Sequence, residues 1–543
     1  MPPRSSSGRG RRIRSDRQAQ SVNIVGVTQG ANLRVFLRLV DMLQEPLALN
    51  TVSAFVADSL IFKRLAAREV RLKGESVFLL KEWEITAQGQ TRMPDWQRIA
   101  EWEKSLGDPV FWNALMADRR IYFGARCKMR QDYRPRFTHE ELGGILQTAL
   151  ERIDAFLDRV QPDLVLGFGT ATLGDYLFCR FAKVRGIPYL QLKATKIGNY
   201  VSLNDDLTGL SQHIADIYKA DGVIDTWALE EAKAHLGRTR RRGLSYEGAL
   251  RRGTRLQLGL GVQLLGRGLL ADARRCLDRD TRTDNQLDSL TLTHLYARFL
   301  NPLKGAFIKR RLRHRFITQD QLPQQRPFVF YPLHFEPEVS MQVFGRPFQN
   351  QIELIRTLAM ALPANMLLLV KEHPRAVGFR PRSYYRKLLD IPNVRLVDID
   401  ASTFTIIRHS RMVAVISGST GLEAAICGKP VLTFGVPPYN ALPSGMVRHV
   451  GSLHELSNQV RSLMQNYLPD EAALERFVGA MITGSVGVDL YTVLLEKKGR
   501  IGDPQGGKSV HERRKEDYDR LADYCHSRIV SVSSAKKIVR RAV

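Results

Sequence analysis

The apolar positions of this chain fall into repeated strand–turn–helix–strand units. Residues 412–416 (MVAVI) are apolar without alternation, the pattern of a parallel strand covered on both faces. A Ser-Gly-Ser-Thr-Gly turn follows at 417–421, then a short helix, a Gly428-Lys429-Pro430 break and a second strand. Gly428 stands where a left-handed helix stop is needed, and Pro430 cannot continue the helix. The same grammar recurs earlier: strand 164–168, helix 173–184, a Gly186-Ile187-Pro188 break, strand 189–192. Further apolar runs predict strands at 22–27, 51–58, 328–333, 366–370 and 394–397. Apolar residues at helical spacing predict helices at 33–43, 140–160, 351–361, 383–389, 402–409 and 453–465. A charged, Trp-bearing stretch, 83–118, also reads as helical.

Two such halves in one chain predict an α/β protein: a pair of facing Rossmann-like domains, with a helical, Arg-rich middle segment and disordered basic termini. The expected division is 1–20 disordered, 21–206 an N-terminal Rossmann-like domain, 207–325 a helical connector, 326–495 a C-terminal Rossmann-like domain and 496–543 a basic helical tail. At 543 residues the chain is too long for one ordinary core, which agrees with two domains plus extras.

Charge changes this picture more than composition does. The chain carries 81 Lys and Arg against 55 Asp and Glu, a formal net charge of +26. Such an excess implies a polyanionic partner or surface. No zinc-finger, RNP-like or helix-turn-helix pattern is present, so nucleic acid is not the expected partner. Runs at 238–243 (RTRRRG), 251–255 (RRGTR) and 308–315 (IKRRLRHR) carry much of the excess. Residues 256–275, apolar with glycines and flanked by arginines, read either as a helix packed between the domains or as one lying on an anionic membrane. No apolar run is long enough to cross a bilayer, and residues 1–20 lack the apolar core of a secretory signal, so a cytoplasmic location is expected. Five scattered cysteines form no CxxC pair and support neither a disulfide framework nor a metal site.

Ligand groups in open parallel sheets lie just beyond the C-terminal ends of strands. Three stretches satisfy this in the second half. Lys371-Glu372-His373-Pro374 follows strand 366–370, and Pro374 holds His373 on an extended backbone. The turn Ser417, Gly418, Ser419, Thr420 places hydroxyls and backbone N–H groups at a helix N-terminus, where the dipole favours an anion. The loop bearing His334, Glu336 and Glu338 follows strand 328–333. Taken singly each stretch also reads as a plain turn or cap; their conjunction along one sheet edge is the more specific signal.

In that order, FYPLHFEPEVS, the Asn350-Gln351 pair, VKEHP and SGSTGLEAAICGKPVLTFG resemble bacterial capsule polysaccharide biosynthesis proteins, a group that includes β-Kdo transferases. NLRVF and GIPYLQLKATKIGNYVSLNDDL in the first half are similar to surface-polysaccharide proteins of the same kind. The resemblance is best over about 325–440 and absent from both tails and the Arg-rich middle. It implies a GT-B glycosyltransferase that binds its donor in the C-terminal domain and needs no metal or other cofactor. It further implies that His373-Pro374 and Ser419-Thr420, with Ser417 as an additional hydroxyl and Gly418 between, hold the cytidine monophosphate of a CMP-linked sugar such as Kdo. Glu423 is then a candidate acceptor from the ribose hydroxyls, and Lys371 and Arg375 are candidates to neutralise phosphate.

Transfer needs leaving-group charge stabilised, and inverting chemistry also needs a carboxylate base on the acceptor. His373 serves the first role; Asp175, Asp205, Asp206 and, from the other side, Glu336 are candidates for the second. The expected partners are a nucleotide-sugar, a lipid-linked or polysaccharide acceptor, the anionic inner-membrane surface and capsule assembly or export machinery. A UDP-sugar or CDP-glycerol enzyme, a non-catalytic export or assembly factor with this fold, and a polyanion binder remain alternative readings.

Overall fold

The computed structural model describes residues 22–68, 78–107, 111–123, 135–220, 222–249, 284, 300–336, 338–376, 378–497, 500–501 and 510–542. The basic terminus 1–20, the 251–255 arginine run and the 256–275 stretch lie outside the described residues.

Two seven-stranded sheets organise those residues. The first contains β1 (Val22–Thr28), β2 (Leu49–Val56), β3 (Leu79–Lys81), β4 (Leu164–Gly167), β5 (Tyr189–Ala194) and β6 (Tyr200–Asn204). The second contains β7 (Phe316–Ile317), β8 (Phe328–Pro332), β9 (Leu367–Lys371), β10 (Val394–Val397), β11 (Met412–Val415), β12 (Val431–Thr433) and β13 (Val447–His449). The last strand, β14 (Val486–Gly487), returns to the edge of the first sheet. The inner orders are β3-β2-β1-β4-β5 and β10-β9-β8-β11-β12. These are the same doubly wound topology, with the strand order reversing between β1 and β4 and between β8 and β11. The second sheet pairs in parallel throughout, whereas β5–β6 and β6–β14 are antiparallel.

Why the central strands are apolar without alternation is visible in their packing. Phe328 and Phe330 of β8 enter one core, while Val329 and Tyr331 enter the core on the opposite face. On β11, Val413 and Val415 face the first core, and Met412 and Ala414 the second. Both faces are covered by helices, so neither alternate position can be polar.

Several expected elements take the predicted bounds, including the helices Leu173–Val184 and Gln351–Ala361 and strand β10. The 83–118 stretch instead breaks into helices Glu82–Gly89, Trp96–Ser105 and Trp112–Ala117. Pro94 lies in the gap between the first two, and the Asp95 carboxylate caps the second by accepting from Arg98 N at 3.0 Å. The C-terminal helix Val510–Ala542 crosses to the first sheet, where Leu521, Cys525 and Ile529 join the core that holds Leu33 and Phe36. Tyr524 fixes it there: its hydroxyl donates to Gly484 O at 2.8 Å and accepts from Leu203 N at 3.0 Å.

The described part of the Arg-rich middle is mostly helical, with β7 joining the second sheet, and is partly structural. Helix Thr226–Arg242 packs against helix Glu471–Thr483. Arg240 pairs with Glu471 and donates to Ile426 O at 2.9 Å. Part of the RTRRRG charge therefore ties connector to domain.

Candidate functional site at the interdomain cleft

The order β11-β8-β9 makes three strands immediate neighbours, all running the same way. Their C-terminal ends therefore open at one edge, and the three loops singled out above leave from it. His334, His373 and Gly418-Ser419-Thr420 line a single cleft of about 470 Å³ that is closed on its other side by the first sheet. Gly418 is the N-cap of helix Ser419–Ile426 and has no side chain to offer the helix. Neither the Ser419 nor the Thr420 hydroxyl is engaged by another described residue. This helix end is therefore left for an anion to complete.

A buried layer beneath the cleft fixes these loops. Gln351 holds the His334 backbone at both ends, accepting from its N–H at 2.8 Å and donating to its carbonyl at 3.1 Å. Arg380, fully buried, donates to the same carbonyl at 2.6 Å and pairs with both Glu372 and Glu336. Tyr385 O–H donates to Glu372 at 2.7 Å. Two carboxylates thus answer one guanidinium out of water, an arrangement that holds only while all partners remain.

His334 Nε2 accepts from Ser417 N–H at 3.4 Å, so its proton sits on Nδ1. Burial, then the nearby His373, Lys196 and Arg380, pushes its pKa down to about 3, and the ring is neutral at pH 7. The Ser417 hydroxyl donates to Ser340 O at 2.7 Å, and Tyr439 O–H donates to Gly418 O at 2.6 Å. The turn is clamped from both sides.

Several expected site residues are placed elsewhere. Glu336 is buried against Arg380 and Gln351 and does not line the cleft, so it is not positioned as an acceptor base. Ser417 is committed to Ser340, which leaves Ser419 and Thr420 as the open hydroxyls. Glu423 accepts from Leu244 N at 3.2 Å and so stabilises the chain that follows helix Thr226–Arg242 instead of facing a ribose. Lys371 is buried at the end of β9, away from the cleft wall, and Pro374 opens a 3-10 turn, Pro374–Ala376.

Asp175 closes a capping box on helix Leu173–Val184, accepting from Thr172 N at 3.1 Å and from Gln29. It is fully buried, and that burial pushes its pKa up to about 7 against the hydrogen bonds from Thr172. Its position beneath the cleft floor makes it a cap, not a wall residue. Asp205 accepts from Gln212 N at 2.8 Å, and Asp206 pairs with Lys183. None of Asp175, Asp205, Asp206 and Glu336 lines the cleft.

What faces it from the first domain is cationic. Lys193 is near the C-terminal end of β5, Lys196 follows that strand, and Lys497 joins them from the chain after β14. Burial, then Lys196, lowers the Lys193 amine to about 8; it lies 4.5 Å from the centre of the Phe344 ring. Among the described residues that line the cleft, Glu338 is the one carboxylate, and it accepts from Ser340 O–H at 3.3 Å. Residues 193 and 196 sit in KATKIGNY, a stretch whose likeness to polysaccharide proteins is legible but whose individual roles are not. Among the described residues no cluster of His, Cys, Asp and Glu is arranged to hold a metal ion.

Comparisons with known proteins agree with the motifs. Residues 291–461 match the family described as capsule polysaccharide biosynthesis protein. The capsule polysaccharide modification protein LipA of Neisseria meningitidis is 28% identical over 154 residues, which cover 28% of this chain and 22% of LipA. Protein FixF of Sinorhizobium fredii is 25% identical over 184 residues, 33% of this chain and 42% of FixF. The chain therefore spans less than half the length of the curated relatives it matches. Among solved structures, the Thermosulfurimonas dismutans KpsC β-Kdo 2,4 transferase is 14% identical, covering 64% of this chain and 86% of that one at a TM-score of 0.35.

Proposed function

We propose, from the match of residues 291–461 to the capsule polysaccharide biosynthesis family, that this protein is a glycosyltransferase of capsular or surface polysaccharide assembly. Its donor is a nucleotide-activated sugar, with a CMP-linked acidic sugar the favoured candidate, and its acceptor is a lipid-linked or polysaccharide chain. The observation that carries the reading is the uncapped helix N-terminus at Gly418–Thr420, set beside His373 in a cleft whose opposite wall is cationic. In this reading the backbone N–H groups and hydroxyls of Ser419 and Thr420 receive the donor phosphate. His373 donates to the leaving oxygen, and Lys193 and Lys196 offset the charge that develops as the sugar–phosphate bond breaks. Glu338, the carboxylate on the wall, takes the acceptor proton.

The test is a thermal-shift screen across CMP, CDP, UDP and GDP. One nucleotide is expected to raise the melting temperature, and His373→Ala or Thr420→Val to remove the shift. Glu338→Gln is expected to keep the nucleotide shift and lose transfer. Indifference of the wild-type protein to all four nucleotides would sink the donor-site assignment.

A second reading, a non-catalytic assembly factor, is favoured by one feature: the first-domain wall of the cleft offers no carboxylate among its described residues. It predicts nucleotide binding without turnover of any CMP-sugar.

A further inference from the structure

Helix Asn301–Leu312 has two faces that have nothing to do with the cleft. Asn301, Gly305, Ile308 and Leu312 are buried; Ile308 and Leu312 belong to the second domain's core. At 100° per residue these four span an arc of about 60°. Centred roughly 140° away lies a second arc, about 100° wide, that holds Leu300, Leu303, Phe307, Arg310, Arg311 and His314. Leu303 is 66% and Phe307 59% exposed, large values for aliphatic and aromatic side chains one turn apart. The apolar half of this face gives way along the helix to a basic half, and the exposed Arg313 and Arg315 flank it in the following turn. Lys309 is held by Asp398 and Asp400, but Arg310, Arg311, Arg313 and Arg315 are exposed, with no ion-pair partner among the described residues.

We infer that this face of helix Asn301–Leu312 docks the protein on an anionic lipid bilayer, with Leu303 and Phe307 entering the headgroup boundary and the arginines contacting lipid phosphates. An apolar strip with arginines at its end matches the two layers of a bilayer surface, apolar just below the anionic headgroups. A protein partner of equal fit would need an acidic rim around an apolar socket. The chain's formal net charge of +26 also draws it towards a surface of negative charge. The helix is packed closely against the second domain. Gly378, at φ +87°, lies so close that a Cβ there would come within 1.8 Å of Asn301 O. Gly378 belongs to the same loop that leaves β9 with His373, so the lipid-facing helix and the cleft share a support.

Vesicle cosedimentation of the full chain tests this separately from nucleotide binding. Partition onto phosphatidylcholine–phosphatidylglycerol vesicles is expected, with far less onto phosphatidylcholine alone. Leu303→Ser with Phe307→Ser is expected to weaken partition roughly tenfold or more, since burying the exposed parts of the two side chains together is worth at least a factor of ten. Arg310→Gln with Arg311→Gln is expected to weaken it about tenfold. The melting temperature and any nucleotide-induced shift should be unchanged in both variants. Partition that ignores the serine pair and vanishes with salt alone would overturn the inference, because whole-protein charge would then suffice. So would a serine pair that lowers the melting temperature or changes the oligomeric state in solution, which would make the face an internal or protein contact. Should the serine pair fail to fold, Phe307→Trp serves instead: its added fluorescence must be quenched by brominated phosphatidylglycerol, and absence of added quenching overturns the inference.

Discussion

The two sheets share an inner strand order, yet they treat the equivalent turn in opposite ways. In the first domain β4 leads into helix Leu173–Val184, whose N-terminus is capped by side chains. Thr172 and Asp175 cap each other's backbone, and the Asp118 carboxylate accepts from Leu173 N at 2.9 Å. In the second domain β11 leads into helix Ser419–Ile426, whose cap is a glycine with no side-chain bond. One fold unit thus caps its helix end with side chains and the other leaves it open. Stability favours the first arrangement, because an unsatisfied N–H group costs free energy. The second makes sense when a ligand supplies the missing acceptor. Position in a doubly wound sheet marks where a site can be; the state of the helix cap distinguishes the domain proposed to bind an anion from the domain that only repeats the topology.

The largest effect should come from breaking the layer that holds the open turn in place. Arg380→Met leaves Glu336 and Glu372 buried without their guanidinium and releases the His334 carbonyl. A loss of about 3–5 kcal/mol is expected in denaturant unfolding, the range for removing one partner from a buried ion pair. The first domain should be less affected, so unfolding of the variant is expected to separate into two transitions. A single transition at the wild-type midpoint would show that the network contributes nothing to holding the site.

The sequence and the structure part company along the same line. The strands and most helices were legible because their burial is periodic: 412–416 has no polar position, and 173–184 and 351–361 keep helical spacing. The Ser417–Thr420 turn was legible for the same reason, following directly on a strand end. The carboxylates were not. Glu336 and Glu338 stand two residues apart in one loop, and nothing local distinguishes the one that faces Arg380 from the one that faces the cleft. Arg380 lies 44 residues downstream of Glu336 in sequence, and only the pairing of β8 with β9 brings the two together. Asp175 shows the converse case. Thr172 and Asp175 stand at the spacing of a capping box, which is readable without a structure and outweighs a catalytic reading. The cleft lysines were hidden because Lys193 and Lys196 gain their setting from the β5–β6 hairpin, whose antiparallel turn departs from the parallel pattern around it.

A more local change should separate the two helix ends without disturbing the fold. Gly418 has φ −68° and ψ 156°, so alanine fits its backbone. Its Cβ, however, would come within 3.0 Å of His334 Nε2, directly over the turn. Gly418→Ala is expected to weaken nucleotide binding about tenfold by displacing either the ring or the N–H groups, at little cost in melting temperature. Isothermal titration with the nucleotide selected by the thermal screen measures this. Unchanged affinity would mean that the turn does not contact the ligand.

The smallest effect has the opposite sign. Lys193 faces the cleft with its amine lowered to about 8, from an ordinary value near 10.5, chiefly by burial. The folded protein therefore holds this charge less readily than the unfolded chain does, and a charged Lys193 costs stability. Lys193→Met removes that cost. Because the side chain is only half-buried and keeps part of its hydration, the gain is expected to be on the order of 1 kcal/mol. The sign fixes its pH dependence. The variant's advantage should be full below about pH 8, where both states of the wild type carry the charge. It should fade as pH rises from there towards the unfolded value, because the native wild type sheds its proton first. A more stable Lys193→Met variant that has lost donor or acceptor binding would show that this lysine is retained for a ligand at the expense of the fold. A variant that is both more stable and fully competent would reduce the first-domain wall to a passive surface and leave the open helix end of the second domain as the whole of the anion site.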